Sequence, residues 1–231
     1  KVKLAILRGN ASEPHEVELV REVLPAMPVK GRIASPGNGY LRVAEFGKQT
    51  PAQLKSEVAS LAKAGASRLV IDLRGAAEGE LESGYEAARV FVGSGVLGFS
   101  QERGKDKVPV NAAGGDGVVT LPLALIVDNG TSGAAEVFAA AVSGAKRGSL
   151  VGEHTLGRAA RQKVVKLPDG AGLLLTNVLY LAPGGISIHE KGLTPDVPID
   201  APTVDFGVEP MPGDPLLDKA LETVTGLKKA A

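Results

Sequence analysis

The sequence predicts an α/β domain, on three observations. Residues 69–71 and 121–127 are short runs with almost no polar interruption, the composition of strands buried on both faces of a parallel sheet. Segments with apolar residues at helical spacing alternate with such runs. One turn signal, Pro168-Asp169-Gly170, stands between two strand-like segments as a hairpin requires. Strands alternating with helices argue for a sheet with helices on its faces.

The elements follow in order. Residues 2–7 and 17–20 are apolar-rich runs around a stretch with Gly9, Asn10 and Pro14, a hairpin with a long loop. Pro25, Pro28 and Pro36 punctuate a connector, which puts a domain boundary near residue 24, with the next strand at 39–46. Leu54, Val58, Leu61 and Ala62 recur at helical spacing, with Thr50 as the expected cap, Pro51 in the first helical position and Gly65 as the stop. After strand 69–71 come a helix at 82–92, a strand at 96–100 and a polar loop at 101–117. Strand 121–127 ends in the turn Asp128-Asn129-Gly130-Thr131, and an Ala-rich helix runs from Gly133 to about Ala145. Leu150-Val151, 161–167 and 173–181 read as strands, and 216–227 as a closing helix.

Composition narrows the function. At 231 residues the chain holds one large domain, or one domain plus a fragment. Lys plus Arg and Asp plus Glu both count 26, so no long-range field favours nucleic acid or an anionic membrane. No apolar run reaches the roughly 18 residues of a membrane span. The absence of Cys excludes disulfides, thiolate metal sites and cysteine nucleophiles, and His15, His154 and His189 lack metal-ligand spacing. Lys1 is not a start methionine and the chain is strand-like from its second residue, so the N-terminus is expected to be a cut inside a larger protein.

Three ordered blocks carry more information. They are Asp72-Leu73-Arg74; then Val127-Asp128-Asn129-Gly130-Thr131-Ser132-Gly133-Ala134-Ala135-Glu136-Val137; then Val151-Gly152-Glu153-His154-Thr155-Leu156-Gly157-Arg158, with Gln162 four residues on. Together with Pro183-Gly184-Gly185-Ile186-Ser187-Ile188 and Lys191-Gly192-Leu193-Thr194-Pro195-Asp196, they make residues 30–225 resemble the carboxyl-terminal-processing (tail-specific) serine peptidases. The resemblance implies a spiral-type strand–helix core of the tail-specific peptidase and crotonase-like kind over 24–231. Residues 1–23 then resemble the C-terminal strands of a PDZ-like domain. It also implies the cell envelope or periplasm as compartment and no cofactor.

By that resemblance the family serine falls on Gly133, the family lysine base on Arg158 and the orienting glutamine on Gln162. Backbone N–H groups at Gly79 and Ala134 fall at the oxyanion and cleft positions, and Glu78 stands where the family has the first of two glycines. Glycine carries no hydroxyl to form an acyl-enzyme, and arginine does not give up its proton near neutral pH as a desolvated lysine does. A carboxylate beside an oxyanion pocket opposes the charge the pocket stabilises.

The expected function is therefore a pseudo-peptidase that binds extended peptides or unfolded protein C-termini without cutting them, Arg158 receiving the terminal carboxylate. The alternative is an active serine endopeptidase with a displaced nucleophile, Ser132 or Thr131, although Ser and Thr just before a helix more often cap it. His154 invites pairing with Ser132, against a surface or hydrogen-bonded role, and Arg158 could instead pair with Glu153 or Glu136. An acyl-CoA enzyme finds no clustered cations to hold the nucleotide phosphates. Asp72 and Arg74 are read as scaffold, and Gly114-Gly115-Asp116-Gly117 as a flexible loop. An active paralogue and a second copy of the chain are the further partners considered.

Overall fold

A computed structural model describes residues 1–9, 12–21, 29–200 and 213–227. The domain boundary expected near residue 24 lies outside the described residues. Strands β1 (Val2–Ile6) and β2 (His15–Leu19) pair antiparallel as a two-stranded sheet of their own.

The chain then lays down β3 (Val29–Ser35), β4 (Asn38–Val43), β5 (Glu45–Phe46), α1 (Thr50–Lys63), β6 (Arg68–Asp72), β7 (Glu78–Gly79), α2 (Leu81–Ala88), β8 (Val96–Glu102) and β9 (Val108–Asn111). It continues through β10 (Leu123–Val127), α3 (Ala134–Gly144), β11 (Ser149–Gly152), β12 (Ala160–Lys166), β13 (Gly172–Leu181), β14 (Val197–Pro198) and α4 (Pro215–Gly226). A six-stranded sheet has the order β14-β11-β10-β6-β4-β3, and all its pairs are parallel except β3 with β4. A second sheet, β12-β13-β8-β9, is antiparallel.

Alternation along the central strands divides the core in two, because successive side chains point to opposite faces. Leu69 and Ile71 of β6 and Leu123, Leu125 and Val127 of β10 join the cluster built with α1, α2 and α3. Val70, Ala124 and Ile126 point the other way, onto Leu216, Leu217, Ala220 and Val224 of α4. Both faces of β6 and β10 are thus covered, which is why the two runs carry so few polar residues. Three of the five phenylalanines meet at one point, with Phe138 of α3 at 5.3 Å from Phe46 and 5.9 Å from Phe91 between ring centroids.

Three local expectations are corrected. Thr50 does not cap α1: Gln49 is the N-cap residue, and the Thr50 hydroxyl accepts from the Gly47 N–H at 2.9 Å, bracing the turn before the helix. The helix expected at 82–92 ends at Ala88, with turns after it. The loop at 101–117 contains β9, which pairs with the edge of β8.

At the carboxyl end of β6, Asp72 is 1% exposed and accepts from the Arg74 guanidinium at 2.6 Å and the Tyr40 hydroxyl at 2.7 Å. Arg74 also reaches Asp214 at 2.7 Å, and Asp214 caps α4 by accepting from the Leu217 N–H. The loop after β6 is thereby tied to a helix 140 residues further on, a scaffold role for this pair. Burial alone would raise the Asp72 carboxyl, but hydrogen bonds from Arg74 and Tyr40 outweigh it and hold the group below the usual range. Asp214 is depressed in the same way, burial opposing and Arg74 prevailing.

Two predictions follow from this packing. A carboxylate depressed in the folded state contributes stability that is fully present above its unfolded pKa of about 3.9 and is lost as pH falls towards the folded value. The urea midpoint should accordingly change little from pH 7 to pH 5 and fall below about pH 4, and Asp72→Asn should flatten that fall. Separately, a Cβ on Gly84 of α2 would stand 2.3 Å from the Ala134 carbonyl oxygen. Gly84→Ala should therefore cost about 1–3 kcal/mol by chemical denaturation, overriding the roughly 1 kcal/mol that alanine gains over glycine in a helix.

Candidate functional site

The site begins at the end of β10. The turn after it is fixed from both sides: the Gly75 N–H and the Thr131 hydroxyl donate to the Asp128 carboxylate, each at 2.9 Å, and the Ser132 N–H donates to the Ala76 carbonyl. The chain then reverses at Gly133, the N-cap of α3, with φ 62 and ψ −121. That backbone is strained for any residue bearing a side chain, a condition that sharp strand-to-helix turns tolerate where a nucleophile is presented. A Cβ there would clash with nothing, its nearest atoms being the Ala77 carbonyl oxygen at 3.8 Å and Leu81 Cδ2 at 3.9 Å, ordinary packing distances.

Glu136, one turn into α3, organises what surrounds it. The residue is fully buried in a helix otherwise made of Ala, Val, Phe, Ser and Gly. Its carboxyl group accepts four hydrogen bonds, the number a carboxylate can take. Oε1 receives the Thr155 hydroxyl at 2.5 Å and the Gly157 N–H at 2.6 Å, while Oε2 receives the Gly133 N–H at 3.0 Å and the Arg158 N–H at 2.7 Å. Gly133 and Arg158 therefore share one acceptor atom. Thr155 extends the network by accepting from the Leu193 N–H at 2.8 Å.

Other candidate residues take definite places. Ala134 is fully buried, its carbonyl pressed under Gly84. Gly79 lies in β7 with φ +122, and a Cβ there would fall 1.9 Å from the Phe46 carbonyl oxygen, so this close approach admits glycine alone. Glu78 beside it is exposed. Ser132 is 1% exposed, and its hydroxyl neither caps α3 nor finds any partner among the described residues. Thr131, also buried, spends its hydroxyl on Asp128 and on the Leu73 carbonyl, not on the helix. The His154 ring lies on the Thr155 carbonyl at 2.9 Å.

Arg158, Gln162, Gly79 and Glu80 line one cleft of about 570 Å³, together with Leu81, Glu82, Ala160, Arg161 and His189. The Arg158 side chain is exposed and forms no ion pair among the described residues; its link to Glu136 is through the backbone alone. On the far side an ion pair between Glu82 and Arg161 at 3.2 Å separates the cleft from a smaller cavity of about 310 Å³ walled by Tyr85, Val108, Val110, Val178 and Tyr180. The Tyr180 hydroxyl donates to Glu82, and burial followed by that hydrogen bond raises the phenol above its ordinary range. Among the described residues no cluster of His, Asp or Glu is arranged to hold a metal ion.

Residues 37–199 match the model of Peptidase family S41. The chain belongs to peptidase family S41. Among S41-type relatives it is 30% identical over 230 residues to a carboxyl-terminal-processing protease of Synechocystis sp., covering 98% of this chain and 54% of that protein. It is 34% identical over 214 residues to the chloroplastic C-terminal processing peptidase of Tetradesmus obliquus, covering 87% of this chain and 46% of the other. The solved photosystem II D1 C-terminal processing protease superposes with a TM-score of 0.67 at 31% identity, over 82% of this chain and 52% of that one. The α/β core is thus the S41 fold, and the chain spans about half the length of the relatives it matches. No helix among the described residues is long and apolar enough to cross a membrane.

Sequence reasoning missed Glu136 as the hub and His189 as a cleft residue. The first had a signal: a lone acid in an apolar helix must be buried with partners. Glu136→Gln keeps the shape but turns an amide against two of four donors, leaving them unpaired. A loss of about 3 kcal/mol in unfolding free energy is expected from urea denaturation, with amide exchange accelerated at Gly157 if the amide replaces Oε1, or at Gly133 and Arg158 if it replaces Oε2.

Proposed function

We propose that this S41 chain binds the C-terminal tails of other proteins in the Arg158 cleft and does not cleave them. The observation that carries the reading is Gly133: the strained turn, the helix N-terminus and the room for a Cβ without a clash suit a nucleophile, and the residue there has no side chain. Arg158 supports it, since a guanidinium keeps its proton and cannot serve as general base. The burial of Ser132 speaks against its acting as a displaced nucleophile. An exposed guanidinium with no ion pair among the described residues suits a terminal carboxylate, which it can grip with two parallel hydrogen bonds. The β1–β2 hairpin is read as the end of a PDZ-like peptide-binding module, and the cell envelope as the compartment.

A serine-directed fluorophosphonate should leave the wild-type protein unlabelled, and an unfolded, apolar-tailed protein should stay intact in its presence. Nucleophile and base act as a unit, so Gly133→Ser and Arg158→Lys should each give no cleavage, and only the double variant weak cleavage. Adding Glu78→Gly should give a further, smaller gain, because an exposed carboxylate is partly screened. Wild-type cleavage abolished by Ser132→Ala would overturn the proposal in favour of the displaced serine. In binding, a free-acid peptide should exceed its amide by about 10-fold, and Arg158→Ala should erase that difference.

A further inference from the structure

Among the described residues, strand β12 is an outer strand of the antiparallel sheet, paired on one side only, with β13. It begins two residues after Arg158, at the cleft, and runs away to the turn at Pro168-Asp169-Gly170, a path of about 20 Å for its seven residues. The arm it forms with β13 is uncovered on both faces towards its tip. Val164 and its cross-strand partner Leu174 are 65% and 57% exposed on one face, and Leu173 and Leu175 are 45% and 37% exposed on the other.

The arm is also basic. Residues 160–181 hold three cations, Arg161, Lys163 and Lys166, against one carboxylate, Asp169, which accepts the Ala171 N–H within the turn. Lys163 and Lys166 form no ion pair among the described residues. Lysines on an edge strand discourage indiscriminate pairing, but they do not explain four exposed aliphatic side chains beside them. Lys163 and Lys166 are three residues apart and point to opposite faces, so they select an added strand with acids three apart and an apolar residue beside Val164, because opposite charges across a strand pair stabilise it and like charges destabilise it. A second copy of β12 is disfavoured by the same rule, since self-pairing would bring lysines and Arg161 together.

Direction follows from where the strand starts. A peptide antiparallel to β12 runs from the arm's tip to the cleft and delivers its terminal carboxylate to Arg158; a parallel one delivers its ammonium group to a guanidinium. We propose that β12 is the recognition edge for acidic protein tails, whose last six or seven residues add antiparallel as a fifth strand with acids three apart opposite Lys163 and Lys166. This rests on the reading of Arg158 as the carboxylate site.

The probes are ten-residue peptides of Val and Thr with Glu at every third position, ending in a free carboxylate, the same with Lys for Glu, and the amide of each. By fluorescence anisotropy the Glu peptide should bind at least 10-fold tighter than the Lys peptide. Lys163→Glu/Lys166→Glu should reverse that order while leaving the acid-over-amide ratio unchanged. Amides of 160–166 should gain exchange protection in the complex, and a spin label on the peptide's N-terminal residue should broaden resonances of 169–171, not of 158–160. Equal binding of Glu and Lys peptides, a label that broadens 158–160, or no protection of β12 overturns the inference even where acid still exceeds amide. An acid-over-amide ratio of one with β12 protected and the label at the tip overturns the Arg158 reading instead, and no binding of any peptide overturns both.

Discussion

The carboxyl group of Glu136 is the interaction on which the cleft depends. A polar group taken out of water costs free energy unless all its hydrogen bonds are replaced, and here the replacements come from two segments. The turn that opens α3 and the β11–β12 connection, through Thr155, Gly157 and Arg158, point donors at one pair of oxygens. Since a single half-satisfied arrangement would be worse than an apolar one, the two segments are fixed together or not at all. Gly133 and Arg158 are thereby held in register.

This separates scaffold from chemistry. Gly79 cannot be exchanged because backbone fills the space a side chain would need, whereas at Gly133 a Cβ would meet only ordinary contacts and the strain lies in its own dihedral angles. The S41 fold is kept around the site, with Gly133 bearing no side chain and the Arg158 side chain exposed. On the proposed reading, a surface shaped for extended chains still serves to hold them, because main-chain pairing along an edge needs no nucleophile.

Much of the fold was legible in the sequence, and for identifiable reasons. Strands β6 and β10 are covered on both faces, so they read as uninterrupted apolar runs, and the turn into α3 is announced by Asp128, Asn129 and Gly130. Strand β3 escaped because its residues 30–32 are Lys, Gly and Arg, and an outer strand exposed along much of its length shows no alternation. Strand β9 escaped because it is only four residues long and contains Pro109, which argues against a strand. His189 could not be found at all: it joins the cleft through the turn that sets the Glu190 N–H on the Gly157 carbonyl, a contact with no local signature.

The division of the core between two faces has a bearing on how the chain is made. The face of the sheet formed by Val70, Ala124, Ile126 and Val151 is covered by α4, the last described element to leave the ribosome. Until it emerges, a nascent chain carries a finished sheet with one greasy side bare, and Arg74 waits for the aspartate that caps the arriving helix. A product terminated before residue 214 would keep every candidate cleft residue and still present that side to the cell, a sticky intermediate suited to chaperone capture or proteolysis.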